Sequence, residues 1–272
     1  MMDILFYKVA LAIYLLSTVL YITSLLTRRV LAARVATWFL FTAFTLHTVS
    51  LTLHSLKTGH SPVIGFHETL SFFAWVMTAT YLILQWKTKT MVLGAFVSPV
   101  VFLLVIVASI RVGGDVSLPA EWKGGLVPVH AIFSVTGEAL FVLASCAGAM
   151  YLIQESFIKN KKVKTFSRLL PSLRDLDKIN HLCLLWGFPL LTIGILVGSI
   201  WSRVVWGSHW QWDPKQIWTL LAWISYAILL HQRLAIGWKG RKVALLSIGA
   251  LSFLLVCFVI AGMFFTTVHS FV

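Results

Sequence analysis

The residues best suited to chemistry lie between 206 and 218, where the chain reads WGSHWQWDPKQIW. Four tryptophans, Trp206, Trp210, Trp212 and Trp218, surround His209 there. An indole offers a flat apolar face and one N–H donor, so such a cluster suits a large planar ligand with polar edges, porphyrin foremost. The alternative is an aromatic belt that only anchors a helix at the membrane interface. Asp213 is placed to cap the helix that follows, and Pro214 suits its first position, where no donor is lost. Gln216 is expected to complete a capping box with Asp213.

Histidines supply the second signal. His130 opens one long apolar run and His269 closes another, so both fall at the depth of the tryptophan stretch. Two neutral imidazoles across one plane are what six-coordinate haem iron requires, and indole faces could cover the ring. Arg203 and Arg111, with Lys123 and Lys215, are the nearby cations for haem propionates. His47 and His231 form a second expected pair, within the bilayer. Counted from the basic ends at about 1.5 Å per residue, His47 lies roughly 20 Å in and His231 roughly 10 Å in, so helix tilt must close the gap. His54 and His181 are rivals for these places. Glu138 is a carboxylate inside an apolar run, neutral or paired, and could carry protons or serve only as a structural hydrogen bond.

These side chains must be held by membrane helices. The sequence is 59% hydrophobic and only 11% charged, far from a soluble balance of about a quarter charged. Apolar runs near 4–26, 35–56, 68–86, 90–110, 130–154, 179–201, 215–237 and 243–268 each approach the roughly 20 residues a spanning helix needs. The expected fold is all-α, a polytopic integral membrane protein with eight transmembrane helices. Run length excludes a membrane barrel, whose strands would be short and alternating. The first run lacks a small-residue cleavage site after it and reads as a retained helix.

The net charge of +13 is not a nucleic-acid signature, because it is segregated. Arg28, Arg29 and Arg34, then Lys87 and Lys89, then the cluster from Lys159 to Lys178, then Arg233, Lys239, Arg241 and Lys242 all fall in alternate loops. The positive-inside rule places those loops in the cytoplasm, and both termini and the tryptophan stretch outside it. Residues 1–272 therefore read as a single transmembrane domain, with an external platform loop at 202–214 and a basic cytoplasmic loop at 155–178. That loop would face anionic lipid or dock a cytoplasmic protein. Cys146, Cys183 and Cys257 form no C-x-x-C pair, which argues against a thiol relay or covalent haem attachment. Gly194-x-x-x-Gly198 is a helix close-packing signature.

The stretch WGSHWQWDPKQIW resembles the tryptophan-rich signature of the cytochrome c assembly membrane proteins, the family of CcsA, CcmC and HemX. FHETLSFFAW, GFPLLTIGILVGSIW, AWISYAILLH and TVHSF resemble further segments of that family. By this similarity His130 and His269 match the family's outer haem ligands, His231 an inner ligand, and His47 the fourth. Gln216 stands where family members usually have glutamate.

Chain length most resembles HemX. The resemblance then implies a non-enzymatic bacterial cytoplasmic-membrane protein that binds haem b at two sites, reports haem status and limits glutamyl-tRNA reductase, its cytoplasmic partner. A second implication is haem handling or export for cytochrome c biogenesis, with an assembly partner. A dihaem electron-transfer protein is a third reading, in which Glu138 would carry protons.

Overall fold

A backbone in hydrocarbon has no water to bond, so each apolar run must satisfy its own N–H and C=O groups as helix. The computed structural model describes residues 2–27, 29–63, 66–111, 125–160 and 170–264, without the side chains of Phe66, Arg111, Lys215 and 258–264. Among the described residues there are eight α-helices and no strand. They are α1 (Met2–Thr27), α2 (Val30–Thr58), α3 (Phe66–Thr88), α4 (Gly94–Ala108), α5 (Leu126–Lys159), α6 (Leu173–Trp206), α7 (Pro214–Leu234) and α8 (Arg241–Phe264). Among the described residues six segments, covering α1 to α6, are long and apolar enough to cross a membrane. The chain is a multi-span membrane protein.

Helices outlast the apolar runs that nucleate them, because an intrahelical hydrogen bond forms as readily on a polar residue as on an apolar one. Helices α5 and α6 each have 34 residues, about 51 Å of rise against a hydrocarbon core of about 30 Å. Both expected loops are therefore shorter than the sequence suggested. The basic segment loses its ends to α5, which reaches Lys159, and to α6, which begins at Leu173 behind the Ser172 cap. The platform loop likewise loses Ser202 to Trp206 to the end of α6.

The helices sort into two groups of four. In the first, α1 packs on α2 and α4, and α3 packs on α4 and α2. In the second, α5 packs along α6 and against α8, while α7 lies on α6 and α8. The principal contact between the groups is α3 on α5.

Within the first group the usual soluble pattern is reversed. Tyr7, Ala10, Tyr14, Ser17, Tyr21 and Ser24 recur at helical spacing along α1 and are buried, whereas Leu5, Leu15, Val19 and Leu26 are exposed. Lipid tails are as apolar as leucine, so aliphatic side chains lose nothing outside, and polar groups must find partners inside. Tyr7 Oη donates to the Val105 carbonyl at 2.9 Å. Ser17 Oγ donates to the Ala36 carbonyl at 2.9 Å, and Tyr21 Oη to Gln85 Oε1 at 3.2 Å.

In the second group glycine brings α5 and α6 together. A Cβ on Gly137 would lie 2.8 Å from the Leu191 backbone nitrogen, and one on Gly194 would strike Ser134. An ion pair fastens the basic end: Arg233 Nη2 lies 2.7 Å from Asp177 Oδ2 and Nη1 lies 3.0 Å from Oδ1. Gly240 N–H donates to the same carboxylate at 2.8 Å, tying α6, α7 and the entry to α8 into one corner.

Candidate functional site

Antiparallel register between α5 and α6 sets His130 opposite one stripe of α6. Ser134 meets Gly194, His130 meets Gly198, and Val127 packs with Trp201. The α6 positions 194, 198 and 201 are one and two turns apart, so they share a face. Nδ1 of His130 donates to the Gly194 carbonyl at 2.8 Å, with Ser134 Oγ at 3.4 Å from the same nitrogen. A carbonyl has no proton to give, so Nδ1 carries a hydrogen, and Nε2 is the nitrogen this bond leaves for a ligand role. A metal-binding imidazole is prepared in this way, with its far nitrogen fixed by a carbonyl. Gly198 makes the seat possible. A Cβ there would stand 2.5 Å from Nδ1 and 2.6 Å from Cε1 of the ring. The Gly194-x-x-x-Gly198 spacing, read from sequence as helix packing, is thus also the cradle of His130.

The turn beyond α6 is built by its own side chains. Gly207 takes a left-handed φ of 73° and donates to the Arg203 carbonyl, closing the helix. Ser202 Oγ donates to the Ser208 carbonyl at 2.8 Å, and Ser208 Oγ to the Trp210 carbonyl at 2.9 Å. His209 folds back over α6. Arg203 Nη1 lies 3.2 Å from its Nε2, and its Nδ1 lies 3.2 Å from the Ser199 carbonyl. Arginine only donates and a carbonyl only accepts, so in these contacts Nε2 is the acceptor and Nδ1 the donor. Arg203, expected as a propionate partner, is exposed and keeps guanidinium donors beyond the one directed at His209.

Asp213 is buried, and its carbonyl accepts from Ile217 N–H at 3.0 Å, the first bond of α7. Gln216, expected to complete the capping box, accepts at Oε1 from Gln211 N–H at 2.8 Å, where the chain turns back over the helix end. Trp212, between them, holds a left-handed φ of 54°, a conformation that costs a bulky residue about 1 kcal/mol or more and recurs at ligand clamps.

The four tryptophans separate into two roles. Trp206 packs edge-on against Trp201, ring centroids 5.1 Å apart, in a cluster with Val127 and Val63. Trp218 donates its indole N–H to the Leu254 carbonyl of α8 at 3.0 Å. These two hold the frame. Trp210 and Trp212 meet edge-on at 5.8 Å, Trp212 is 70% exposed, and Trp210 Nε1 is buried without an acceptor among the described residues. A buried indole N–H left unpaired is costly, and an acceptor on a bound ligand would satisfy it. Trp201 lay outside the sequence reading; its place two turns from Gly194 on the same face was the available signal.

The second expected pair is not brought together. His47, midway along α2, is fully buried, with Tyr14 Oη 3.3 Å from Nδ1 and Ser71 Oγ 2.9 Å from Nε2. His231 is exposed in the last turn of α7, in the other helix group. Of their rivals, His54 Nε2 lies 2.9 Å from Glu68 Oε1, and His181 is half-buried with Nδ1 unpartnered. Glu138 is half-buried on α5, beside Gly137, whose carbonyl accepts from Tyr226 Oη at 2.7 Å. His269, Trp122 and Lys123 lie outside the described residues, as do the side chains of Arg111 and Lys215.

Haem is compatible with His130 on two observations, the Nδ1 bond to the Gly194 carbonyl and the glycine cradle, and the turn after α6 adds the Trp210 donor, unpaired among the described residues. It does not fit His47 as that ring stands, because both nitrogens are engaged.

The family described as cytochrome c assembly protein matches residues 63–269. Cytochrome c biogenesis protein CcsA of Chlamydomonas reinhardtii is 35% identical over 219 residues, which is 76% of this chain and 59% of that protein. CcsA of Chlorella vulgaris is 29% identical over 262 residues, 82% of this chain and 81% of the relative. Among solved structures, cytochrome c haem lyase CcmF matches 94% of this chain and 49% of its own, with a TM-score of 0.64 at 16% identity. That likeness is one of fold.

Proposed function

The chain belongs to the cytochrome c assembly protein family, and from that premise we propose that it handles haem for cytochrome c biogenesis, as the CcsA name of its relatives denotes. The observation that carries this reading is the seating of His130, whose Nδ1–H is bound to the Gly194 carbonyl above a glycine that leaves room for the ring. Haem b is the cargo, and it supplies an iron that accepts an imidazole nitrogen. His130 would bind the iron, with His269 as the second ligand that the family resemblance implies. Trp210 and Trp212 would offer indole faces and an indole donor to the ring, and Arg203 and Arg111 are the cations expected for its propionates. The chain's own part is to bind, orient and screen; it is not itself an enzyme on this reading. A second haem on His47 and His231 is not part of the proposal, because both His47 nitrogens are engaged and His231 lies in the other helix group.

Charge segregation supports a topology with both termini and the tryptophan turn outside the cytoplasm. A cytochrome c assembly protein is the natural partner. Chain length alone had favoured a regulator of glutamyl-tRNA reductase, and the relatives favour haem handling over it. Deleting the gene in its host separates the two. Loss of covalently haem-stained c-type cytochromes at constant glutamyl-tRNA reductase is the expected result. Normal cytochromes c with raised reductase would return the regulatory reading.

A further inference from the structure

A cavity of about 620 Å³ opens at the basic end of the bundle, between the α1–α2 and α3–α4 turns of the first helix group and the start of α6. Lys87, Lys89 and Lys178 line it, and among the described residues none of the three forms an ion pair. Asp175, the carboxylate on the wall, is already held by Ser172 Oγ at 2.6 Å as part of the α6 cap. The three exposed lysines bring positive charge from two helix groups to the lining of one space, where an anion is favoured.

The backbone points the same way. Lys89 terminates α3 with a left-handed φ of 56°, its N–H donating to the Gln85 carbonyl at 2.7 Å. Glycine or asparagine is the favoured residue at that position, since a Cβ is strained there. A lysine in its place gives up stability to set an ammonium on this wall. The rest of the lining has two characters. Thr90 and Ser24 contribute hydroxyls, while Leu25, Val92 and Leu182 give an aliphatic side.

We propose that this cavity binds the phosphate-bearing headgroup of an anionic membrane lipid, with the lysines on the phosphate and the aliphatic wall on the first part of an acyl chain. Basic pockets between helices at the cytoplasmic face recognise such lipids. Both sides of the wall belong to groups whose principal contact elsewhere is α3 on α5, so the lipid would also join them at this end. The inference is independent of the haem site.

The test uses the full chain purified in detergent, with thermal unfolding measured after addition of phosphatidylglycerol, phosphatidylcholine or inorganic phosphate. Phosphatidylglycerol should raise Tm by several degrees over phosphatidylcholine. The rise should be lost in the combined Lys87→Gln, Lys89→Gln, Lys178→Gln variant and kept in an Arg34→Gln, Lys239→Gln control, which removes charge at the same end but outside the cavity. An equal rise in the two variants would reduce the effect to net charge and overturn the site. The full rise with inorganic phosphate alone would overturn the lipid as its occupant. Lys89→Gly guards against a variant that fails to fold. It should be at least as stable as the parent in phosphatidylcholine, because the strain is relieved, yet respond less to phosphatidylglycerol; an undiminished response would also count against the site.

Discussion

His47 and His130 are both enclosed by antiparallel helices, and they are held in opposite ways. In the first helix group His47 meets Tyr14 on one nitrogen and Ser71 on the other, with Tyr7 edge-on at 5.4 Å, so the ring completes a polar core. In the second group His130 commits Nδ1 to a backbone carbonyl beside glycines. A hydroxyl can donate or accept, so it leaves either imidazole tautomer available, whereas a carbonyl selects one. Burial alone therefore does not mark a ligand; what the second nitrogen bonds to does. Both groups use hydroxyl-to-carbonyl bonds, Tyr7 to Val105 in the first and Tyr226 to Gly137 in the second, and the second adds the Asp177–Arg233 pair at its basic end.

The largest expected stability effect tests that last difference. Arg233→Ala leaves Asp177 partly buried without its partner and should cost about 3 kcal/mol in thermal or denaturant unfolding. A loss no greater than that of an exposed pair would show that the corner does not hold the second group.

Gly198→Ala comes next. The added methyl must displace the His130 ring, and haem affinity should fall about tenfold, equivalent to ~1.4 kcal/mol. Added free imidazole should restore the low-spin absorption spectrum of this variant, which a loss of helix packing alone would not allow. Ser71→Ala, in the first group, leaves His47 Nε2 without its hydrogen bond and should cost about 1–2 kcal/mol of stability with the haem spectrum unchanged. A spectral change there would put iron at His47 and erase the contrast. The smallest effect is expected from Gln216→Glu. The carboxylate can still accept from Gln211 N–H and lies near the positive end of α7, so stability should rise by about 0.5 kcal/mol in thermal unfolding.

Helix positions were legible in the sequence because hydropathy and the bilayer's demand for internal hydrogen bonds act on the same residues. Their ends were not. Nothing in the polarity of Arg174 or Lys178 announces that α6 has already begun. At the site, Trp210, Trp212 and the turn around Asp213 could be read from spacing. The division of labour that sends Trp206 to Trp201 and Trp218 to α8 depends on neighbours distant in sequence. The glycines at 194 and 198 were visible from the start. Their second role emerged only from the α5–α6 register, which no local pattern encodes. His47 and His231 looked like partners because both interrupt apolar runs, but sequence depth says nothing about which helices pack together.

The most direct test is haem quantification with oxidised and reduced absorption spectra on purified protein, comparing the parent chain with His130→Ala and His269→Ala. The expected result is a low-spin bis-histidine spectrum in the parent and loss of the same haem in both variants. Undiminished haem per chain in His130→Ala would contradict the assignment of its carbonyl-anchored ring as a haem ligand.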